Sequence, residues 1–146
     1  MRVRCLGECP NQEQIEKLGA GFYREQAFHV SAGKEYAVFG LEFAVNAKTR
    51  GTGAWIEIIS DYGHLGGAPL CLFEVLDPRV SRFWELREWP DGITLWPPSF
   101  YRRYYHDDLS ENVPEVMQDF RRVRAEIESE FAGPTIESDP LSGMKD

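Results

Sequence analysis

Three observations predict an α+β domain. An alternating apolar run over 35–45 and two strand-like runs after it carry a period of two. The connections between these runs, about eight residues each, are too short for helical crossovers, so the sheet is expected to be antiparallel. The region 113–132 carries a helical period instead. Both faces of the second and third main strands are apolar, which a flat sheet with one wet face would not need. The predicted fold is a curled antiparallel sheet or small barrel of about five strands, with a short N-terminal helix and a longer C-terminal helix.

In chain order, Asn11 to Leu18 reads as a short helix. Pro10 precedes it, Asn11 can cap it, Gln14 stands where a capping box needs it, and Gly19 can close it. Phe28-His-Val30 reads as a short strand that includes His29, and Ser31 to Lys34 as a turn. In the run from Glu35 to Val45, Ala37, Phe39, Leu41, Phe43 and Val45 share one face. A polar loop follows over Asn46 to Gly53. Ala54 to Ile59 is the next strand, Asp61 to Pro69 a second loop, and Leu70 to Leu76 a third strand ended by Asp77-Pro78. Phe83 to Glu88 and Ile93 to Trp96 flank Trp89-Pro-Asp-Gly92, where Asp-Gly is expected to supply the positive φ of a tight hairpin. Asn112 or Ser110 can cap the last helix, with Pro114 in its first turn. Val113, Val116, Met117, Phe120, Val123, Ile127 and Phe131 form its apolar stripe, and Gly133-Pro134 stops it. The expected core holds Phe39, Leu41, Phe43, Ile56, Ile58, Leu72, Phe73 and Val75. One globular domain is expected over 1–133, with a flexible tail over 134–146.

The 146 residues carry 16 Lys and Arg against 24 Asp and Glu, a net charge of −8. Residues 1–106 account for −1 of it and residues 107–146 for −7. This acidity argues against a nucleic-acid backbone or an anionic membrane as the partner. Its segregation predicts an acidic face or tail. Glu126, Glu128 and Glu130 crowd the negative end of the helix dipole, where carboxylates are disfavoured. No apolar run approaches the ~20 residues of a membrane span. Three cysteines cannot form a closed disulfide set and the first residues lack an apolar signal core, so a cytoplasmic location is expected.

No catalytic, metal or cofactor signature stands out. Cys5 and Cys9 lack a second Cys/His pair for zinc and read as free thiols near the terminus. Cys71 reads as a buried small hydrophobe. His106-Asp107-Asp108 matches a solvated helix start better than a metal or acid–base site, and His64 sits in a Gly-rich loop without a nameable partner. Asp77 and Arg79 are placed to pair across a turn. The aromatic band is the most unusual feature. Phe83, Trp84, Trp89, Trp96, Phe100, Tyr101, Tyr104 and Tyr105 crowd one short stretch with Arg82, Arg87, Arg102 and Arg103 between them. Most members are expected in a core corner, and exposed ones would suit an interface.

Gly33-Lys-Glu-Tyr-Ala-Val-Phe-Gly40, Pro69-Leu-Cys-Leu-Phe-Glu-Val-Leu76, Asp77-Pro-Arg-Val-Ser81 and the acidic C-terminal helix together resemble the small acidic bacterial immunity proteins of polymorphic toxin systems. The resemblance implies a single-domain binder that blocks a cognate toxin; separately, the absence of a cofactor motif leads to the expectation of no cofactor. Such a toxin is basic where its own substrate is nucleic acid, and an acidic inhibitor would be steered to it. The expected contact residues come from the charge and aromatic pattern: Asp107, Asp108, Glu111, Glu115 and Asp119, with Trp89, Trp96, Tyr101 and Tyr104. The alternatives are a small-molecule- or peptide-binding barrel walled by the aromatic band, and a hydrolase using His64 or His106.

Overall fold

The computed structural model describes residues 1–18, 28–44 and 53–131. Gly19, the loop over 46–52, the Gly133-Pro134 stop and the region 134–146 lie outside the described residues.

The first element is a strand that the sequence reading missed. In β1 (Arg2–Cys5) the arginines point outward while Val3 and Cys5 are buried. β1 is the centre of a three-stranded antiparallel sheet, between β2 (Glu35–Ala37) and β6 (Phe73–Asp77). Cys5 is therefore a core residue rather than an ordinary terminal thiol, and burial pushes its thiol pKa up. Cys71, expected to be buried, is exposed.

Helix α1 (Gln12–Leu18) begins with the expected capping box. The Gln14 amide donates to Asn11 Oδ1 at 2.9 Å, and the Asn11 amide donates to Gln14 Oε1 at 2.8 Å. Residues 28–30 are not a strand, and His29 holds a left-handed backbone with φ 55°.

The long alternating run divides between two sheets. β2 stays with β1, and after Val38-Phe39 the chain continues as β3 (Gly40–Ala44) in a five-stranded antiparallel sheet of order β5-β4-β3-β8-β7. The partners are β4 (Gly53–Ile59), β5 (Leu65–Pro69), β7 (Glu85–Trp89) and β8 (Gly92–Trp96). Both sheets are open, so the barrel expectation is corrected to two antiparallel sheets in an α+β fold. The expected loop over 61–69 is half strand, because β5 pairs with β4 in register Ile56↔Ala68 and Ile58↔Gly66. The expected strand over 70–76 begins as a 3-10 turn at Leu70–Leu72.

The β7–β8 connection has two residues, Pro90 and Asp91, and closes on the pair Trp89↔Gly92. Of the Asp-Gly pair only Gly92 takes a positive φ, 156°; Asp91 does not, which corrects that half of the expectation. Gly92 is required by close approach as well: a Cβ there would lie 2.1 Å from the Phe43 carbonyl oxygen.

Two helices follow the sheet. α2 (Tyr105–Ser110) was not foreseen, and α3 (Pro114–Ser129) matches the expected helix. Pro114 occupies its first turn as expected, but neither Ser110 nor Asn112 caps it; Val113 stands at that position without a side-chain bond. Asn112 adopts φ 59° and turns the chain between the helices.

The five-stranded sheet is packed on both sides. Leu41, Ile56, Ile58 and Ala68 meet Val3, Cys5, Tyr36 and Phe73 of the smaller sheet. Phe39, Ile59, Leu65 and Trp96 meet Phe100, Tyr105, Phe120, Val123 and Ile127 of the helical layer. Six of the eight expected core residues are buried; Phe43 and Val75 are not, at 38% and 39% exposed. Both lie near outer margins, Phe43 toward the turn end of β3 and Val75 on an edge strand.

A polar cluster ties the two sheets together. Asp61, in the β4–β5 turn, accepts from Ser31 Oγ at 2.5 Å, Lys34 Nζ at 2.6 Å and Tyr36 Oη at 2.7 Å. These bonds hold the Asp61 carboxyl down at about 2. Burial and the adjacent carboxylate push Tyr36 up to about 12.

Candidate functional site

The structure sorts the acidic residues into two groups. Most carboxylates of α3 are engaged inside the molecule. Asp119 takes Arg122 at 2.9 Å and the Tyr105 hydroxyl at 2.9 Å, with Arg102 at 3.8 Å. Burial pushes the Asp119 pKa up, but the Arg122 and Tyr105 bonds outweigh it and the net shift is downward. Glu126 pairs with Arg122 and Glu128 with Arg124, each at 2.9 Å. Glu130 accepts from Ser81 Oγ at 2.5 Å and from the Arg82 amide at 3.3 Å, which clips the end of α3 to the segment before β7. The carboxylates that crowd the wrong end of the dipole are thus each bonded within the chain, Glu126 and Glu128 along the helix and Glu130 to a distant segment.

The other group is Asp107 and Asp108 on α2, Glu111 at its end and Glu115 in the first turn of α3. None of these four forms a salt bridge among the described residues. They collect at the α2–α3 elbow because Asn112 turns the chain between two short-spaced helices. Tyr104 precedes the elbow with φ 63°, 58% exposed, and the Arg103 guanidinium lies over its ring at 4.8 Å.

The other aromatics serve the interior more than the surface. Phe100 and Tyr105 are buried. Trp96 lies across Gly40, where a Cβ would come within 2.5 Å of its ring, and stacks against Tyr101 at 5.2 Å. The Tyr101 hydroxyl bridges Thr94 Oγ1 and the Glu85 carbonyl, both at 2.8 Å. Trp89 is 45% exposed, yet its indole donates to Thr94 Oγ1 at 3.0 Å. Of the four expected aromatic contacts, then, Trp89 and Tyr104 face solvent, while Trp96 and Tyr101 are partly buried.

Two of the concave regions among the described residues involve the aromatic and histidine side chains. A groove of about 850 Å³ is lined by Phe83, Trp84, Pro97, Pro98, Arg102 and Arg122. The buried Trp84 indole nitrogen has no hydrogen-bond partner among the described residues. The second region surrounds His106. Its Nε2 lies 3.6 Å from Glu57 Oε1, and Glu57, on β4, is only 8% exposed. Glu57 stands between Gly40 and Gly67 on the neighbouring strands, which leaves room for His106 and Trp96 above it. His64 and His106 line one cleft of about 300 Å³ together with Leu109, Met117, Phe120 and Arg121. The sequence reading missed Glu57, although a carboxylate inside Trp-Ile-Glu-Ile-Ile, apolar on both faces, was the available signal. Among the described residues, no group of three or more His, Cys, Asp or Glu is placed to hold a metal ion. No helix among them is long and apolar enough to cross a membrane.

The fold and surface define an α+β domain with two antiparallel sheets, a helical layer and an acidic elbow whose four carboxylates form no salt bridge among the described residues. Comparison of the chain with protein-family models, with curated proteins and with solved structures finds no match.

Proposed function

We propose that this chain is a protein-binding domain that docks on a basic protein through its α2–α3 elbow, as an immunity protein docks on a basic toxin. One observation carries the reading. Asp107, Asp108, Glu111 and Glu115 flank the Asn112 turn and form no salt bridge among the described residues, while the carboxylates further along α3 are paired within the chain. Four carboxylates with no salt bridge among the described residues, spread over two adjoining helix ends, give a local negative potential that a cationic surface complements. Exposed Tyr104 adds a rigid apolar contact beside them.

The test is the association rate with a basic partner protein, on this reading a toxin used in catalytically inactive form. Asp108→Asn with Glu115→Gln is expected to slow association by about ten-fold at low salt. The difference should vanish near 1 M salt, where the Debye length is ~3 Å. Glu126→Gln, which removes an internally paired charge, should change the rate far less. An unchanged rate for the double variant at low salt overturns the elbow as the docking surface.

A second reading rests on the groove beside Trp84, whose buried indole nitrogen is an unused donor at the wall of an aromatic and arginine-lined cavity. It suits a peptide or small molecule offering an acceptor and a carboxylate. Binding there would be less sensitive to salt and would be lost on Trp84→Phe, which keeps the ring and removes the donor.

A further inference from the structure

The outer edge of β7 is open among the described residues, and its sequence is complementary to itself. β7 is the last strand of the five-stranded sheet, and all five residues of Glu85-Leu-Arg-Glu-Trp89 are exposed. Leu86 is 57% exposed. An open strand edge presents unpaired amides and carbonyls that template pairing with another strand.

The hairpin determines which backbone groups face outward. A two-residue turn closes on a hydrogen-bonded pair, here Trp89↔Gly92. Bonded and non-bonded pairs alternate along an antiparallel ladder. Arg87↔Thr94 and Glu85↔Trp96 are thus the next bonded pairs, and the amides and carbonyls of Leu86 and Glu88 point away from the sheet.

A second copy can meet this edge about a two-fold axis perpendicular to the sheet, which requires residues on the same face to stand opposite each other. An axis at Arg87 sets Arg87 against itself at the close spacing of a non-bonded pair, where like charges repel. One at Glu88 brings two glutamates together. An axis at Leu86 places Leu86 against Leu86, with its outward amide and carbonyl exchanged between the copies, and brings Glu85 of each copy opposite Arg87 of the other. Within one chain Glu85 and Arg87 already share a face, 3.5 Å apart.

The geometry points to a homodimer in which two β7 strands pair antiparallel about Leu86 and extend the sheet across both copies. The edge is only five residues long, so it buries less than the roughly 1,000 Å² of a stable interface and the dimer is weak and concentration-dependent. Its register is specific because only one alignment joins opposite charges.

The test is a disulfide trap in a background of Cys9→Ser and Cys71→Ser, since both of those thiols are exposed while Cys5 is buried. Single cysteines are placed at Leu86, Arg87 and Glu88, and each full chain is equilibrated in a glutathione redox buffer. The Leu86 pair falls at about 5.5 Å between Cα atoms, within disulfide range, whereas Glu88 meets its own copy about four strand residues away. The Leu86→Cys protein should cross-link at least ten-fold more than Glu88→Cys. Adding Arg87→Glu to Leu86→Cys should abolish that excess, and adding Glu85→Arg as well should restore it. Equal yields at all three positions, or a maximum at Arg87, overturn the register. A Leu86→Cys yield no higher than that of Cys9 in the parent chain, or one indifferent to the charge swap, overturns the dimer. No basic partner is present, so the outcome is independent of the elbow.

Discussion

At the scale of single residues, burial separates positions that look equivalent in the sequence. Phe73 and Val75 share one face of one apolar strand, yet Phe73 packs edge-on against Tyr36 at 6.1 Å while Val75 is 39% exposed at a sheet edge. Phe73→Ala removes a ring whose site cannot collapse, and it should lower the unfolding free energy by about 3–5 kcal/mol in urea denaturation. Val75→Ala should cost less than about 1 kcal/mol in the same assay, because its methyl groups already contact water. Equal losses would mean that the β1–β6 pairing is wrong. The reason Val75 was misjudged is physical. Local alternation reveals which residues share a face but not whether anything lies beyond it, and β6 has a neighbour on one side only.

Elements were legible where one period runs without interruption. The stripe through Val116, Phe120, Val123 and Ile127 specifies α3, and its first turn admits Pro114 at no hydrogen-bonding cost. The strands were legible in direction and in their antiparallel pairing, but not in their partners. Residues 35–44 alternate in sequence through a change of sheet, but the crossing at Val38-Phe39 breaks the expected shared face: Phe39 turns to the helical layer and Leu41 to the smaller sheet. Leu65-Gly-Gly-Ala-Pro69 has poor strand propensity and is a strand only because β4 offers it a ladder. The acidic elbow was legible as charge, whereas its separation from the paired carboxylates of α3 depends on tertiary contacts with Tyr105 and Arg102. Glycines show the same dependence on the neighbour. Gly92→Ala places a Cβ against the Phe43 backbone, which cannot yield, so β3 and β8 must part; a loss of about 1–3 kcal/mol or more is expected. Gly66→Ala meets nothing within 4 Å and should change stability by less than about 0.5 kcal/mol. Thermal unfolding of the two variants distinguishes a hairpin locked by close approach from one that merely tolerates glycine.

For the whole molecule, the two sheets are joined by apolar packing and by the Asp61 cluster, and these respond differently to acid. Apolar packing carries no proton, whereas Asp61 holds its three partners only as a carboxylate. Its native pKa lies at about 2 against an ordinary 3.8, with Lys34 the largest cause. The unfolded chain therefore takes up a proton at Asp61 at higher pH than the native chain does. Stability from this group is complete above the ordinary value and is lost as pH falls toward about 2. Asp77 shifts in the same direction, also to about 2, but through Arg79 two residues away, so its bond holds a turn rather than a layer. Urea unfolding followed from pH 7 downward should be nearly flat until about pH 4 and then fall steeply. Asp61→Asn should be less stable at neutral pH, because Lys34 loses its counter-charge, and its acid limb should be shallower by up to about one proton equivalent. Asp77→Asn should flatten the same limb with a smaller loss at neutral pH. If Asp61→Asn leaves the slope between pH 4 and 2 unchanged while remaining folded, the carboxylate does not join the sheets, and the apolar core alone holds the layers in place.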